Sequence, residues 1–316
     1  MRRLFMPPSV MRHFLRAFFL AFGLACAAAQ AATSGPIVDT AAVAAAVKRG
    51  AVIWDVRNTA DYQAGHIPGA ISIGNAGQVL RDAKTEDFIP VARIEKILGE
   101  AGIDPAQEVI VYASRGNPFA YFGLYTLQYF GGRNARVYHD GIDGWRAAGL
   151  PVSREPAQRT PIALRLTPNS AVSASTAETL AALRKPGMQI IDARTTGEFN
   201  GSDIRAARGG HIPGALNIPY EMNWVDPDAG AKLARRQVAD NSGMSLKPMD
   251  DLRKLYSGLD PAQETIVYCQ SGVRAAETAA VLAQLGFRNV KVYDSSWLVY
   301  ATTPGAPAGN ERFPSR

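Results

Sequence analysis

Thr265-Ile-Val-Tyr-Cys269-Gln-Ser-Gly-Val-Arg274-Ala-Ala-Glu-Thr is the stretch on which the reading of the chain turns. Thr265 to Tyr268 is a short β-branched and aromatic run of strand type. From Ala275, small and apolar residues recur at helical spacing to Leu285, and Gly286 supplies a stop. The loop between them opens with Cys269 and closes with Arg274. A strand–loop–helix of this kind aims successive backbone N–H groups, and the positive end of the helix, at one point in space. A thiol held there has its anionic form favoured, and the thiolate is the nucleophile. The competing reading is a buried cysteine that merely fills a strand end.

The rest of the chain sharpens that choice. Its 316 residues suffice for two ordinary domains, and the formal charge of +6 suggests nucleic acid until the cations are located. Arg2, Arg3, Arg12 and Arg16 stand in the first 31 residues, which contain no acid, so removing those four leaves about +2. No basic cluster is interleaved with aromatics, and a nucleic-acid partner is rejected. Residues 1–31 read as a signal peptide: a basic start, an apolar run too short for a membrane span, and Ala29-Gln30-Ala31 as a cleavage pattern. The expected product is exported, to the periplasm, with no membrane span after cleavage. Lipidation of Cys26 is opposed by Gly23, and a twin-arginine signal is opposed by Pro7-Pro8 and a long spacer. If Cys26 leaves with the leader, Cys269 is the one remaining cysteine, which excludes an intrachain disulfide and a cysteine metal site. His139 is isolated and gives no metal-ligand spacing.

The chain also repeats itself. Val52-Ile-Trp-Asp55-Val-Arg57 is echoed by Gln189-Ile-Ile-Asp192-Ala-Arg194, and Gly65-His66-Ile-Pro-Gly-Ala70 by Gly210-His211-Ile-Pro-Gly-Ala215. Val109-Ile-Val-Tyr112 returns as Thr265-Ile-Val-Tyr268, and Arg136-Val-Tyr138 as Lys291-Val-Tyr293. The order predicts two tandem domains, at 36–152 and 166–308, joined by a proline-rich linker at 153–165. Between the strands, amphipathic stretches are predicted at 40–48, 91–98 and 119–130, and again at 176–184, 249–256 and 272–285. Each domain is therefore α/β, a mainly parallel sheet flanked by helices, with ligands beyond the carboxyl ends of the strands, where Cys269 falls. The second half carries two insertions, 200–208 and 223–244, consistent with its holding the working site.

Asp-x-Arg, Gly-His-Ile-Pro-Gly-Ala, and a strand running into Cys-x-x-Gly-x-Arg, in this order and duplicated, resemble the rhodanese family of sulfurtransferases in its tandem-domain thiosulfate/3-mercaptopyruvate form. The resemblance implies transfer of a sulfane sulfur through a persulfide on Cys269. It implies that the loop amides of Gln270, Ser271, Gly272, Val273 and Arg274 cradle the outer sulfur. Asp192 and Arg194 are read as fixing the strand-to-loop turn and lining the edge of the site, and Asp55 and Arg57 as the same structural pair in the first half. No cofactor is implied. The expected partners are a small anionic donor such as thiosulfate and a cyanide or thiol acceptor. A 3-mercaptopyruvate sulfurtransferase and a non-catalytic persulfide carrier are the alternatives. The first half carries Ala113 at the place of Cys269, Gly116 at Gly272 and Pro118 at Arg274, so it is expected to be inactive. Only four residues separate Cys269 from Arg274, which suits one sulfur atom and crowds a phosphate. His66 and His211, repeated in both halves, read as structural hydrogen-bonders, and Tyr293 and Trp297 as an apolar wall. The chain also departs from the family: Gly197-Glu198-Phe199 puts an acid where a donor-binding arginine is usual, leaving Arg205 or Arg208 as substitutes.

Overall fold

The structure is a computed structural model that describes residues 35–313. The expected signal peptide, with Cys26 and its cleavage site, lies outside the described residues. Among the described residues no helix is long and apolar enough to cross a membrane.

The repeated sequence blocks become two parallel sheets. The first holds β1 (Ile37–Val38), β2 (Val52–Asp55), β3 (Ile71–Ser72), β4 (Val109–Tyr112) and β5 (Ala135–Tyr138), in the spatial order β1-β5-β4-β2-β3. The second is built from β6 (Gln189–Asp192), β8 (Leu216–Asn217), β9 (Thr265–Tyr268) and β10 (Val290–Val292), in the order β10-β9-β6-β8. Every residue of β2, β4 and β9 is buried, as continuous β-branched runs require when helices cover both faces. Register is conserved between the copies. Asp55 lies opposite Tyr112, and Asp192 opposite Tyr268. The edge place of β1 survives in the second copy only as a bridge between Ser173 and Val292.

Each half closes by returning to its Gly-His-Ile-Pro-Gly turn. His66 and Ser153 exchange backbone hydrogen bonds at 2.9 Å, and β7 (Gly209–His211) pairs antiparallel with β11 (Gly309–Arg312). Both closures fall just past the expected limits at 152 and 308.

The linker is fixed in place, and one expectation is corrected here. The segment 153–165 is bound along the first half. Ile162 N–H donates to the Gly99 carbonyl at 2.9 Å, and Ala157 N–H to the Tyr62 hydroxyl at 3.1 Å. Glycine permits the approach, since a Cβ on Gly99 would lie 2.5 Å from the Ile162 carbonyl oxygen. The helix Phe119–Tyr129, expected to be amphipathic, is buried from Ala120 through Leu127. The sheet covers one side, and the helix Val273–Gln284 of the other half covers the opposite one. These two helices are counterparts in the repeat, and one apolar core runs through both halves, joining Leu124 and Val137 to Val281 and Phe287. Each large side chain fully buried in that seam contributes about 1.5–3 kcal/mol, which opposes free motion between the halves.

Candidate active site

Cys269 follows β9 directly and is 1% exposed, and its carbonyl accepts from Trp297 N–H at 3.1 Å. Three residues later Gly272 takes φ +84°, and a Cβ there would stand 2.1 Å from Asp294 Oδ1, so the turn requires glycine. The loop is held from behind by a residue that sequence reasoning missed. Ser296 Oγ accepts from the amides of Cys269 (3.0 Å) and Gly272 (3.1 Å) and donates to the Tyr293 carbonyl (2.6 Å), which uses the hydroxyl's full capacity.

That arrangement corrects one expectation about the cradle. The Gly272 amide is occupied by Ser296 and is not available to a ligand. Among the described residues the amides of Gln270, Ser271, Val273 and Arg274 have no acceptor. They sit at the start of the twelve-residue helix Val273–Gln284, whose dipole adds to them. The Gln270 side chain is engaged locally, its Nε2 donating to the Arg205 carbonyl at 2.8 Å.

Arg274 forms a two-pronged pair with Glu198, at 2.7 and 2.8 Å. Burial works against its charge, but the hydrogen-bonded Glu198 carboxylate and then the Cys269 thiolate hold it strongly protonated. Burial likewise opposes the charge of Glu198, whose carboxyl Arg274 nevertheless holds below the usual range. Glu198 is thus the counter-charge that orients Arg274. Of the two suggested substitute cations, Arg205 lines the cavity and lies 3.5 Å from Glu198. Arg208 does not line it; its Nη2 donates to the Ala306 carbonyl at 2.7 Å, and its guanidinium lies 6.0 Å from the Trp297 ring centre.

Arg194 ties the turn after its strand and does not line the edge of the cavity, which corrects that part of the expectation. Its Nε and Nη2 donate to Asp192 at 2.6–3.1 Å, and Nη2 also reaches the Gly210 carbonyl at 2.7 Å. The guanidinium is 4.7 Å from the Trp297 ring centre and 5.5 Å from that of Tyr268, and the residue is 1% exposed. Asp55 and Arg57 make the same pair, with Arg57 reaching the Gly65 carbonyl, so both copies use it to tie the strand end to the Gly-His turn. The histidines serve that turn as well. His66 Nδ1 and Nε2 face the carbonyls of Tyr62 (2.9 Å) and Glu155 (3.1 Å), while His211 Nδ1 faces that of Phe199 at 2.9 Å.

The loop opens into a cavity of about 710 Å³ at the seam of the two halves. Ser271, Val273 and Arg274 form one wall; Gly77, Arg81 and Phe119, all from the first half, form the other. The opposite relation holds at the first half's equivalent loop. There a Cβ on Gly116 would meet Met244 Cβ at 2.6 Å, His139 Nε2 faces the Met244 carbonyl at 2.7 Å, and Asn241 Nδ2 donates to Asp143 at 2.8 Å. The insertion 223–244 serves both halves: Trp224 at its start donates to Glu277 on the helix Val273–Gln284, and its end, Asn241 to Met244, packs over the first half's loop. Each half roofs the other's loop.

Known proteins resemble this chain along most of its length. Residues 39–148 and 175–303 match the family described as Rhodanese-like domain. The thiosulfate sulfurtransferase of Corynebacterium glutamicum is 36% identical over 250 residues, covering 75% of this chain and 77% of that protein. A putative thiosulfate sulfurtransferase of Mycobacterium tuberculosis is 32% identical over 262 residues, covering 79% and 88%. Among solved structures, the anaerobic ergothioneine biosynthesis enzyme from Chlorobium limicola, in complex with trimethyl histidine, superposes with a TM-score of 0.71. It is 19% identical and the match covers 86% of this chain and 69% of that one, a likeness of fold. The chain belongs to the rhodanese family, with the domain present in tandem. It is a sulfurtransferase.

Proposed function

We propose that this sulfurtransferase takes the outer sulfur of thiosulfate onto Cys269 and passes it to cyanide or a thiol. The observation that carries this reading is the convergence of four unpaired loop amides, a helix N-terminus and Arg274 around Cys269. The names of the relatives support thiosulfate as donor. In the first step the Cys269 thiolate attacks the outer sulfur of thiosulfate. The S–S bond breaks, its electron pair leaves with sulfite, and a persulfide anion remains, so charge is conserved. In the second step cyanide attacks that outer sulfur, releasing thiocyanate and restoring the thiolate. The loop amides stabilise the persulfide anion that stands between the two steps. The first repeat, with Ala113 and Pro118 at the reactive places, takes no part in the covalent chemistry. Export to the periplasm with removal of residues 1–31 belongs to the same proposal and rests on the basic and apolar leader.

Intact mass spectrometry of protein recovered from a periplasmic extract tests all of this. The expected result is a chain lacking its leader that gains one sulfur atom from thiosulfate and loses it to cyanide, with no gain in Cys269→Ser. Gain from 3-mercaptopyruvate alone would reassign the donor. Loading with release only to a partner protein would make the chain a carrier. No gain from any sulfane donor would overturn the chemistry.

A further inference from the structure

We propose that Arg81, carried by the first repeat, binds the anionic end of the sulfur donor in the cavity beside the Cys269 loop. The inference rests on the reading of Cys269 as the sulfur-accepting thiol. Arg57 and Arg194 each spend their guanidinium on a two-pronged bond to a neighbouring aspartate. Arg81 has a side chain 4% exposed and makes no hydrogen bond among the described residues. Its Nη1 is 3.6 Å from Glu86 Oε2 and its Nη2 is 3.7 Å from Asp294 Oδ1, both beyond hydrogen-bond length. Nε and Nη2 are shut off from solvent with no partner, and the guanidinium rests over the Phe122 ring at 5.0 Å. A buried charge held this loosely is costly, and a purely structural arginine avoids that cost as Arg57 and Arg194 do.

Arg81 lines the same cavity as Ser271 and Arg274. The Asp294 oxygen it faces is the one against which Gly272 packs, so the guanidinium stands immediately beside the cysteine loop. Its segment is fastened there, because Ser295 Oγ donates to Asp87 at 3.1 Å, next to the serine that holds the loop. The other two cations of the cavity, Arg274 and Arg205, both lean on Glu198. Arg81 is the buried one of the three that makes no hydrogen bond, with Glu86 at 3.6 Å and Asp294 at 3.7 Å, and burial pushes Asp294 up to about 7, so the second of those counter-charges is incomplete at neutral pH. A planar guanidinium fork matches the oxygens of a sulfonate. The substrate class is therefore a small sulfane donor with an oxyanion head, and the cation that Glu198 displaces in this chain is supplied by the repeat that does no covalent chemistry.

The test compares the full chain with Arg81→Gln and Arg81→Lys in thiosulfate-to-cyanide transfer, with Cys269 alkylation by neutral iodoacetamide as a control. The expected result is a KM for thiosulfate raised by about tenfold or more in Arg81→Gln, the scale of one charge-assisted hydrogen bond. Partial recovery is expected in Arg81→Lys, with kcat and alkylation rate little changed in either. An unchanged KM in Arg81→Gln overturns the assignment. So does a fall in kcat with slowed alkylation, which would make Arg81 a support of the fold. A wild-type chain that loads no sulfur from thiosulfate overturns the donor reading itself, and this proposal with it.

Discussion

Ser296 is the residue whose backbone says most about the site. It sits at φ +50°, a left-handed conformation that a non-glycine residue rarely adopts, and the matching position in the first repeat is Gly141 at φ +52°. The serine therefore carries strain of about 1–3 kcal/mol that the first repeat avoids. Its three hydrogen bonds, two of them to the loop that carries Cys269, offset that strain. Ser296→Ala keeps the strain and leaves two buried amides without an acceptor. It should lower the unfolding free energy by about 1–3 kcal/mol in urea titrations and slow persulfide formation. Ser296→Gly relieves the backbone and should lose less than the alanine variant; equal losses would mean that the strain is not there. The cysteine and its loop were legible in the sequence because strand, glycine and helix follow one another within a few residues. Ser296 was not, because its partner Cys269 is remote in sequence. Aligning the two repeats three places past Tyr138 and Tyr293 would have exposed the glycine-to-serine change.

At the scale of elements, the strands and the Asp-x-Arg turns were readable because each is a local pattern used twice. What lay outside reach were the surfaces that elements offer to others. Phe119–Tyr129 was read as amphipathic, yet its second face is covered by a helix more than 140 positions away in the sequence. The segment 153–165 was readable as a linker by its prolines, but not the hydrogen bonds that fix it to Gly99 and Tyr62 on helices of the first half. Gly99 measures how firmly it is held. Alanine at 99 gains about 1 kcal/mol of helix propensity but drives a methyl against the Ile162 carbonyl, an overpacking cost of about 1–3 kcal/mol. Backbone cannot yield as a side-chain tip can, so the clash should win. Gly99→Ala is expected to be less stable and cleaved faster by protease within 153–165, while a more stable variant would show that the segment moves freely aside.

Across the whole molecule the two repeats behave as one body, because each loop is completed by the other half. Asp294 illustrates the coupling. Burial raises its carboxyl from an ordinary value of 3.8 to about 7; Arg81 acts against the rise, and Asp87 and Glu86 of the first repeat add to it. Below 3.8 the folded and unfolded chains both hold the proton, and the group costs nothing. Between 3.8 and about 7 only the folded chain holds it, so the stability it contributes drains away as pH rises through that window. Asp294→Asn cannot titrate. The melting temperature of the wild type should therefore fall relative to the variant from about pH 4 to about pH 7, and the gap should then stay level. A gap that does not change with pH would show that Asp294 is ionised throughout.

The roof over the first repeat bears on how the molecule could change over generations. Met244 fills the space above Gly116, and the His139 and Asp143 contacts pin the segment that carries it. Ala113→Cys alone would place a thiol beneath a bowl already occupied, with Pro118 still standing where a cation is needed. On the proposed chemistry, a reactive first half would need three changes together: a thiol at 113, a cation at 118 and withdrawal of Met244 from above Gly116.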